Sequence, residues 1–215
     1  MCTSKSYKNL NRDLDVDGRD KSQYDAISHR FSQTRAYQWS FVSNFMESVP
    51  ENSSVYDIGC GNGRNMRGNF QFVGLDNCQN FVDMCKQNGL SVFYGNMCKM
   101  VQFPNNCAEY ILCVAAFHHI DTHNKRIKAL KEMKRILKEG GKMLLTVWSI
   151  TQPSKTKRTF NYFGDTIVPF NNRGKITHRY YYIFQIDYLV SLLLLSGFNI
   201  LNHYWDCGNE VFILY

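Results

Sequence analysis

A chain of 215 residues can form one domain with a sizeable core, but it is too short for two domains of ordinary size. No apolar run approaches the roughly 20 residues of a membrane-spanning helix, and the N-terminal stretch lacks the hydrophobic segment of a secretory signal. The eight cysteines include no C-x-x-C pair and no disulfide-framework spacing, so we expect a reduced, cytoplasmic protein without a metal site, its presence in the nucleus left open.

The net charge of +7 is unevenly distributed along the chain. Residues 125–179 hold 14 of the 25 lysines and arginines and only three acidic residues, whereas the rest of the chain is net acidic. Clustered cations favour a polyanionic partner, nucleic acid above all, because binding releases the counterions condensed on the polyanion. A solvated helix face followed by a basic loop would give the same count, so the charge alone leaves both interpretations open.

Apolar, β-branched runs alternate with helical patterns along most of the chain. We predict helices over residues 36–48, 79–88, 123–138 and 186–196, and strands over 54–58, 70–75, 91–94, 109–115, 142–148, 199–204 and 211–215. The alternation predicts an α/β protein with a mostly parallel, seven-stranded sheet and helices on both faces. The last two strands have no helix between them and should form a C-terminal antiparallel hairpin.

Local signals mark the boundaries of these elements. Residues 1–22 are expected to form a flexible N-terminal tail, and residues 23–215 the folded domain. Gly140 and Gly141 are expected to end the third helix, which is apolar on one face and basic on the other. The polar stretch SHRFSQTR, residues 28–35, should lie over the carboxyl end of the sheet.

The stretch VYDIGCGNG, residues 55–63, places three glycines directly after a predicted strand. Glycine in a strand or helix costs about 0.5–1 kcal/mol relative to alanine, so a bare backbone must be needed there. In open α/β sheets, ligands bind outside the carboxyl ends of the strands, where the first loop supplies small residues. The spacing G-x-G-x-G is one residue shorter than the dinucleotide fingerprint G-x-G-x-x-G.

Polar residues follow the next two predicted strands. Asp76 comes 13 residues after Gly63, where a carboxylate can accept both hydroxyls of a ribose, and Gly95, Asn96 and Met97 follow the third strand, near an adenine edge. With the glycine loop, these features resemble the class I S-adenosylmethionine-dependent methyltransferases, although a tight turn with a helix-capping acid would explain them structurally. Asn96 departs from the family, in which many members carry Asp at this position. The asparagine keeps an acceptor oxygen but loses the charge.

This resemblance implies a Rossmann-like fold and S-adenosylmethionine as cofactor. The residues that it assigns to cofactor binding are Asp57, Gly59, Gly61, Gly63, Asp76, Asn77, Asn96, Met97 and Val114.

Four further stretches are similar to a narrower family. They are SHRFSQTR at 28–35, VAAFHHID at 114–121, TVWSITQ at 146–152 and VPFNNRGKITHRYYYIF at 168–184. They resemble the eukaryotic tRNA wobble-uridine methyltransferases, including the methyltransferase domain of the AlkB-homologue tRNA enzyme, over about residues 24–215. Two departures leave the substrate open: Tyr182 stands where a histidine often follows R-Y-Y, and Glu210 and Val211 replace a frequent tryptophan pair.

The narrower resemblance implies a reaction and two partners. The reaction is esterification of the carboxylate of 5-carboxymethyluridine at the wobble position, so the substrate is a tRNA anticodon stem-loop. The second partner is a small zinc-binding activator subunit, joined through the sheet edge. A small-molecule methyltransferase of the same fold and a catalytically silent scaffold that binds tRNA or the activator are the alternatives; the intact glycine loop and Asp76 argue against the scaffold.

The chemistry of a carboxylate acceptor narrows the search for site residues. A carboxyl group with a pKa of about 4 is ionised at neutral pH and needs no general base, so the site must align the reactants, which can lower a barrier by about 7–11 kcal/mol. Arg35 is the first candidate to hold the carboxylate, because a guanidinium donates in a planar, bidentate way. A surface ion pair or a phosphate contact is the alternative role for Arg35.

Further candidates follow from the same motifs. One of His118 and His119 is expected to face the uridine while the other packs or caps a helix, and Arg179 and Tyr181 could hold the nucleotide by phosphate contact and ring stacking. Each of the four could equally be structural. Trp148 is a candidate pocket wall or a core residue. The residues expected to bind the stem-loop backbone are Lys155, Lys157, Arg158, Arg173 and Lys175.

Overall fold

The computed structural model describes residues 24–35, 37–156 and 158–215. The predicted flexible tail, residues 1–22, and Lys157 lie outside this range. The helices are α1 (Ser28–Gln33), α2 (Ser40–Glu47), α3 (Gln79–Gln87), α4 (His123–Ile136) and α5 (Ile186–Leu195), and a 3-10 helix spans Phe117–His119. The strands are β1 (Ser54–Ile58), β2 (Gln71–Asp76), β3 (Val92–Tyr94), β4 (Ala108–Val114), β5 (Leu137–Trp148), β6 (Gly164–Asn172), β7 (Lys175–Ile183), β8 (Ile200–Asp206) and β9 (Asn209–Leu214).

Seven strands form the central sheet, in the order β3-β2-β1-β4-β5-β9-β8. Strands β1 to β5 are parallel, and β9 pairs antiparallel with both β5 and β8. Apolar side chains of α2 pack on one face of the sheet and those of α4 and α5 on the other. The predicted α/β fold with its C-terminal hairpin is therefore confirmed. Among the described residues, no helix combines the length and the apolar character that crossing a membrane requires.

The predicted end of the basic helix is wrong. Helix α4 ends at Ile136, and Leu137 already has extended backbone and pairs with Ala108 at the start of β5. Gly140 and Gly141 therefore lie within β5 rather than at a helix cap. Gly141 is needed there because a Cβ atom would lie 2.7 Å from the carbonyl oxygen of Glu109 on the neighbouring strand.

A second, two-stranded sheet was not predicted from the sequence. Strands β6 and β7 pair antiparallel from Gly164 opposite Ile183 to Asn172 opposite Lys175. The turn between them has positive φ at Arg173 and at the following glycine, which suits a tight hairpin.

Successive side chains of β7 point to opposite faces of the hairpin, which turns one arginine and one tyrosine inward. Arg179 and Tyr181 are buried, whereas their neighbours Tyr180 and Tyr182 are half-buried on the other face. Arg126 of α4 holds that other face: its buried guanidinium lies 3.5 Å from the ring centroid of Tyr182 and donates to the hydroxyl of Tyr180. The hairpin is thereby fixed with Arg179 and Tyr181 facing the 3-10 helix at the carboxyl end of β4.

Candidate functional site

The glycine loop follows β1 at the point where the strand order reverses between β1 and β4. Gly59 has φ +79°, and a Cβ atom there would lie 2.4 Å from the Cβ of Ala116, so only glycine fits. Gly61 has φ +55°, and apart from its chain neighbours no other described residue has an atom within 4 Å of the Cβ position built on it. The first glycine therefore serves close packing, whereas the second leaves exposed backbone that a ligand can approach.

Asp76 fixes this loop from the end of β2. Its Oδ2 accepts a hydrogen bond from the backbone N–H of Gly61 at 2.7 Å, and its Oδ1 accepts one from the N–H of Cys78 at 2.9 Å. Burial raises the pKa of this carboxyl to about 6, against the lowering effect of these backbone donors. Each carboxylate oxygen has a second lone pair, so the group can still accept from the hydroxyls of a ribose.

A second buried carboxyl, Asp57, lies at the end of β1. Its Oδ2 lies 3.5 Å from Nδ2 of Asn65, while Oδ1 of Asp57 and Oδ1 of Asn65 have no hydrogen-bond partner among the described residues. Burial raises the pKa of Asp57 to about 7. Unsatisfied buried acceptors are costly, and two of them beside an open glycine suit a ligand with a cationic donor, such as the ammonium group of an amino acid. These residues therefore fit the predicted cofactor.

The other predicted cofactor residues differ in how they are placed. The terminal methyl of Met97 lies 3.4 Å from the Cβ position of Gly59, and Val114 is buried at the end of β4, so both adjoin the loop region. Asn77 and Asn96 are exposed, and Oδ1 of Asn96 accepts from the N–H of Cys98 at 2.8 Å. The side chain of Asn96 thus caps its own turn, and its predicted role toward an adenine stays a prediction.

Across the site, Arg179 is a buried cation, only 4% exposed. Its Nη1 donates to the hydroxyl of Tyr181 at 2.6 Å, and the hydroxyl of Tyr24 lies 3.4 Å away. The rings of Tyr24, Phe31, Phe170 and Tyr181 surround its guanidinium, with centroids 5.1–5.9 Å from Cζ. Among the described residues, its Nε has no hydrogen-bond partner and no carboxylate forms an ion pair with its guanidinium. Such a group suits an incoming anion.

The two histidines are both fully engaged. Nδ1 of His118 accepts from the backbone N–H of Trp148 at 3.0 Å, and burial lowers the pKa of His118 well below its usual value. Nδ1 of His119 lies 2.8 Å from the carbonyl oxygen of Tyr180, which can only accept, so this nitrogen carries the proton. Burial lowers the pKa of His119 to about 4, so the ring is neutral and its Nε2 accepts from Tyr24 at 2.9 Å. Neither ring is free to act as a base.

These contacts give one directed chain of hydrogen bonds. Arg179 donates to the hydroxyl of Tyr181, which donates to that of Tyr24 at 3.2 Å, and Tyr24 donates to His119. Tyr24 was missed in the sequence because it lies outside every motif. The predicted stacking of a nucleotide on Tyr181 does not fit this arrangement: Tyr181 is 1% exposed, and Trp148 stacks on it at 4.0 Å.

Two more arginines lie near this cluster. The guanidinium of Arg158 lies 4.2 Å from the ring of Trp148, and Nη1 of Arg35 donates to the carbonyl of its neighbour Thr34 at 3.0 Å. Burial lowers the pKa of Arg158, and the charges of Arg35 and Arg179 lower it further. Three guanidiniums thus adjoin one another, and none forms an ion pair with a described carboxylate. The structure pairs an acceptor-rich crevice at the glycine loop with a donor-rich one beside it.

The chain is similar to known methyltransferases. Residues 56–145 match the family model described as a methyltransferase domain. A putative methyltransferase of Encephalitozoon cuniculi is 36% identical, over 84% of this chain and 87% of its own. A tRNA (carboxymethyluridine(34)-5-O)-methyltransferase of Schizosaccharomyces pombe is 31% identical, over 86% of this chain and 91% of its own.

The fold also matches solved structures. One is a complex between the Haloferax volcanii Trm112 methyltransferase activator and a putative methyltransferase. It has a TM-score of 0.65 and 16% sequence identity, and the match covers 89% of this chain and 95% of the other. At this identity the likeness concerns the fold.

The raised pKa of Asp57 predicts how stability changes with pH. A carboxyl whose pKa rises on folding, here from 3.8 to about 7, makes the folded protein bind more protons between those values, so stability falls as pH rises. Relative to Asp57→Asn, the wild type should lose up to about 4 kcal/mol across this window, at about 1.4 kcal/mol per pKa unit. Urea unfolding of both proteins, free of cofactor, between pH 4 and 8 measures the difference.

The same substitution should weaken cofactor binding. Loss of a charged acceptor predicts roughly a ten- to hundred-fold higher Kd for S-adenosylmethionine, measured by calorimetry. Asp83→Asn, at an exposed carboxylate on α3, is the control and should change neither quantity. A cofactor affinity unaltered by Asp57→Asn would contradict the assignment of Asp57.

Proposed function

Because the chain belongs to the family of tRNA (carboxymethyluridine(34)-5-O)-methyltransferases, we propose that it transfers a methyl group from S-adenosylmethionine to the carboxylate of 5-carboxymethyluridine at the wobble position of tRNA. The product is the methyl ester. The family, the class I fold and the cofactor predicted from the sequence are confirmed by the relatives and the family model.

One observation carries the choice of a carboxylate as acceptor: the buried Arg179 has no anionic partner among the described residues. Burying an unpaired charge costs several kcal/mol, even after the surroundings relax. An acceptor that brings its own negative charge would offset this cost. The free Nε of Arg179 supports binding of one carboxylate oxygen, which leaves the other oxygen able to react.

The cofactor, when bound, supplies an electrophilic methyl group on a sulfonium. The chain's own residues orient the cofactor and the acceptor and neutralise their charges. Asp57 and Asp76 present acceptors to a cationic, hydroxyl-bearing ligand at the glycine loop. Arg179 holds the acceptor carboxylate, and the hydroxyls of Tyr181 and Tyr24 fix the plane of its guanidinium. No proton has to be removed from an ionised carboxylate, which agrees with two histidines that are neutral and already bonded.

The roles of the predicted acceptor residues change accordingly. Arg179 becomes the residue that grips the carboxylate, in place of Arg35, because it is the more buried of the two and keeps an unused donor. Tyr181 and His119 act as positioning residues through their hydrogen bonds, and His118 holds the backbone of Trp148. Trp148 forms the wall on which Tyr181 stacks.

Exposed cations around the hairpin support tRNA as the substrate. Lys155, Arg173 and Lys175 are exposed, and the last two flank the β6–β7 turn. We propose that they contact the backbone of the anticodon stem-loop, together with Arg158. Lys157, which was predicted to join them, lies outside the described residues.

Neutralising these exposed cations should weaken tRNA binding. Replacing Lys155, Arg173 and Lys175 by glutamine is expected to lower the slope of log Kd against log salt by about one for each lost phosphate contact. Filter binding between 50 and 200 mM salt measures the slope, and the affinity for S-adenosylmethionine should stay unchanged. A triple variant with the wild-type slope would exclude this surface.

A protein partner is supported at one edge of the sheet. Strand β3 ends the sheet, so one side of its backbone has no neighbouring strand among the residues that the structure describes. Phe93 and Val101, near this edge, are 45% and 76% exposed, an apolar surface on an edge strand that a second chain could cover. We propose that a small zinc-binding activator subunit pairs there, as the fold neighbour that forms a complex with an activator suggests.

Substitution of Arg179 tests the proposed reaction. Arg179→Gln should lower kcat/KM for methyl transfer to hypomodified tRNA roughly 30- to 5,000-fold, since truncating one partner of a buried charge pair costs about 2–5 kcal/mol. Arg179→Lys should recover only part of it, because it lacks the planar fork. Cofactor affinity should be unchanged in both, and Lys131→Gln, at an exposed site on α4, is the control.

The chemistry of the product decides between acceptors. With labelled S-adenosylmethionine, the proposal predicts base-labile label at the wobble nucleoside, whereas alkali-stable label, or transfer to free acids without RNA, would contradict it. The assay is run with and without an activator subunit. Full activity of the chain alone would argue against the proposed protein partner.

A further inference from the structure

A cavity of about 420 Å³ opens on the surface beside the glycine loop. Gly63 of the glycine loop and Arg35 of the donor-rich crevice lie in its wall, but Asp57, Asp76, Met97 and Arg179 do not, so the cavity adjoins the two crevices described above without containing their buried charged groups. Its polar lining consists of Ser32, Arg35, Asn62, Arg64, Arg67 and Asn88. None of the described lining residues is acidic.

Two arginines of this cavity, Arg35 and Arg64, lie close to each other. Burial lowers the pKa of Arg64, and the nearby positive charge of Arg35 lowers it further, while Asp57 acts in the opposite direction. Neither Arg35 nor Arg64 forms an ion pair with a described carboxylate. The guanidinium of Arg64 lies 5.7 Å from the ring of Trp39, which holds it at the cavity wall. Like charges held together while partly desolvated repel, and a bound anion would relieve the repulsion.

Arg35 joins this cavity to the acceptor site. Its charge acts on Arg64 on one side and on Arg158 on the other, and the charge of Arg179 acts on Arg35 in turn. The cations therefore follow one another from Arg64 at the cavity through Arg35 to Arg179 at the acceptor site. A string of phosphates continuing from a nucleotide bound at Arg179 would meet the cavity next.

We propose that the cavity binds a phosphate group, namely a phosphodiester of the substrate RNA beside the target nucleotide. Arg64 donates to the phosphate oxygens, Arg67 adds a positive charge to the cavity lining, and Arg35 bridges the phosphate and the acceptor site. Guanidiniums suit phosphates because their planar fork matches two oxygens at once. This assignment rests on the proposed function, since it takes RNA as the substrate. It adds an RNA contact beside the glycine loop to the contacts proposed for the basic hairpin.

The test uses the full chain and an anticodon stem-loop RNA. In Arg64→Gln/Arg67→Gln, Kd for the RNA should rise several-fold, and the slope of log Kd against log salt should fall by about one for each lost contact. Kd for S-adenosylmethionine should stay within two-fold of wild type. Lys128→Gln/Lys131→Gln removes two exposed cations from α4 and is the matched control.

Neutral methylphosphonate linkages locate the contact. Placed one at a time around the wobble nucleotide, one of them should weaken binding to the wild type but have no further effect in the Arg64/Arg67 double variant. Because this scan also works on the wild type alone, it tests the proposal even where the double variant does not fold. The absence of any sensitive linkage in the wild type would overturn it.

Other outcomes would also overturn the proposal. Unchanged RNA affinity in the double variant would show that the cavity does not bind the RNA. Loss of S-adenosylmethionine affinity with RNA binding retained would assign the cavity to the cofactor. Inorganic phosphate and a free nucleoside monophosphate are titrated in parallel: tight binding of either without competition by RNA would assign the site to a small phosphate. If the wild type forms the wobble ester but the expected effects on RNA binding are not observed, only the phosphate site is wrong and the proposed function stands.

Discussion

The buried charge of Arg179 is the constraint around which the site is organised. Its guanidinium is surrounded by aromatic rings and donates to hydroxyl oxygens, but it pairs with no described carboxylate. Ring faces and neutral hydroxyls offset part of the desolvation cost. The desolvation cost that remains gives the site a preference for a negatively charged ligand. The unpaired charge that destabilises the empty site therefore favours binding of the acceptor carboxylate.

The rest of the fold keeps that guanidinium in place. The β6–β7 hairpin carries Arg179 on its inner face, and Arg126 anchors the outer face through Tyr180 and Tyr182. On the inner face, the proton on Nδ1 of His119 sets the direction of every hydrogen bond back to Arg179. A neutral histidine is essential to this arrangement, since a protonated ring could not accept from Tyr24.

The electrostatics of the two crevices are complementary. Acceptors at Asp57 and Asp76 lie at the glycine loop, and guanidiniums converge on the acceptor side. A cationic cofactor and an anionic acceptor are each met by the opposite charge, and the neutral histidines carry no charge that would disturb either. Alignment and charge, rather than proton transfer, are therefore what this chain contributes to the reaction.

The sequence predicted the sheet and the cofactor crevice because both depend on local patterns: apolar alternation, glycines after a strand, and Asp76 at the end of the next strand. It missed the β6–β7 hairpin, whose polar and proline-containing strands lack a continuous apolar pattern and resemble a basic loop. It misplaced the end of α4, because two glycines usually end a helix but here let β5 approach Glu109.

The chemical roles were harder to predict than the positions. Arg179, His118 and His119 were all named from the motifs, but their roles depend on burial and on partners distant in the chain. Tyr24 lies 95 residues from His119 and 157 from Tyr181, and nothing local marks it. Which of several arginines lacks an anion among the described residues can be known only when the carboxylates of those residues have been placed in the fold.

The most direct measurement compares two stem-loop RNAs that differ only at the wobble base, one with 5-carboxymethyluridine and the other with its neutral isostere, 5-carbamoylmethyluridine. Binding of each to the protein loaded with S-adenosylhomocysteine is measured by calorimetry. The account predicts clearly tighter binding of the carboxylate, and loss of that preference in Arg179→Gln. Equal binding of the two RNAs by the wild type, or a preference that survives in the variant, would contradict it.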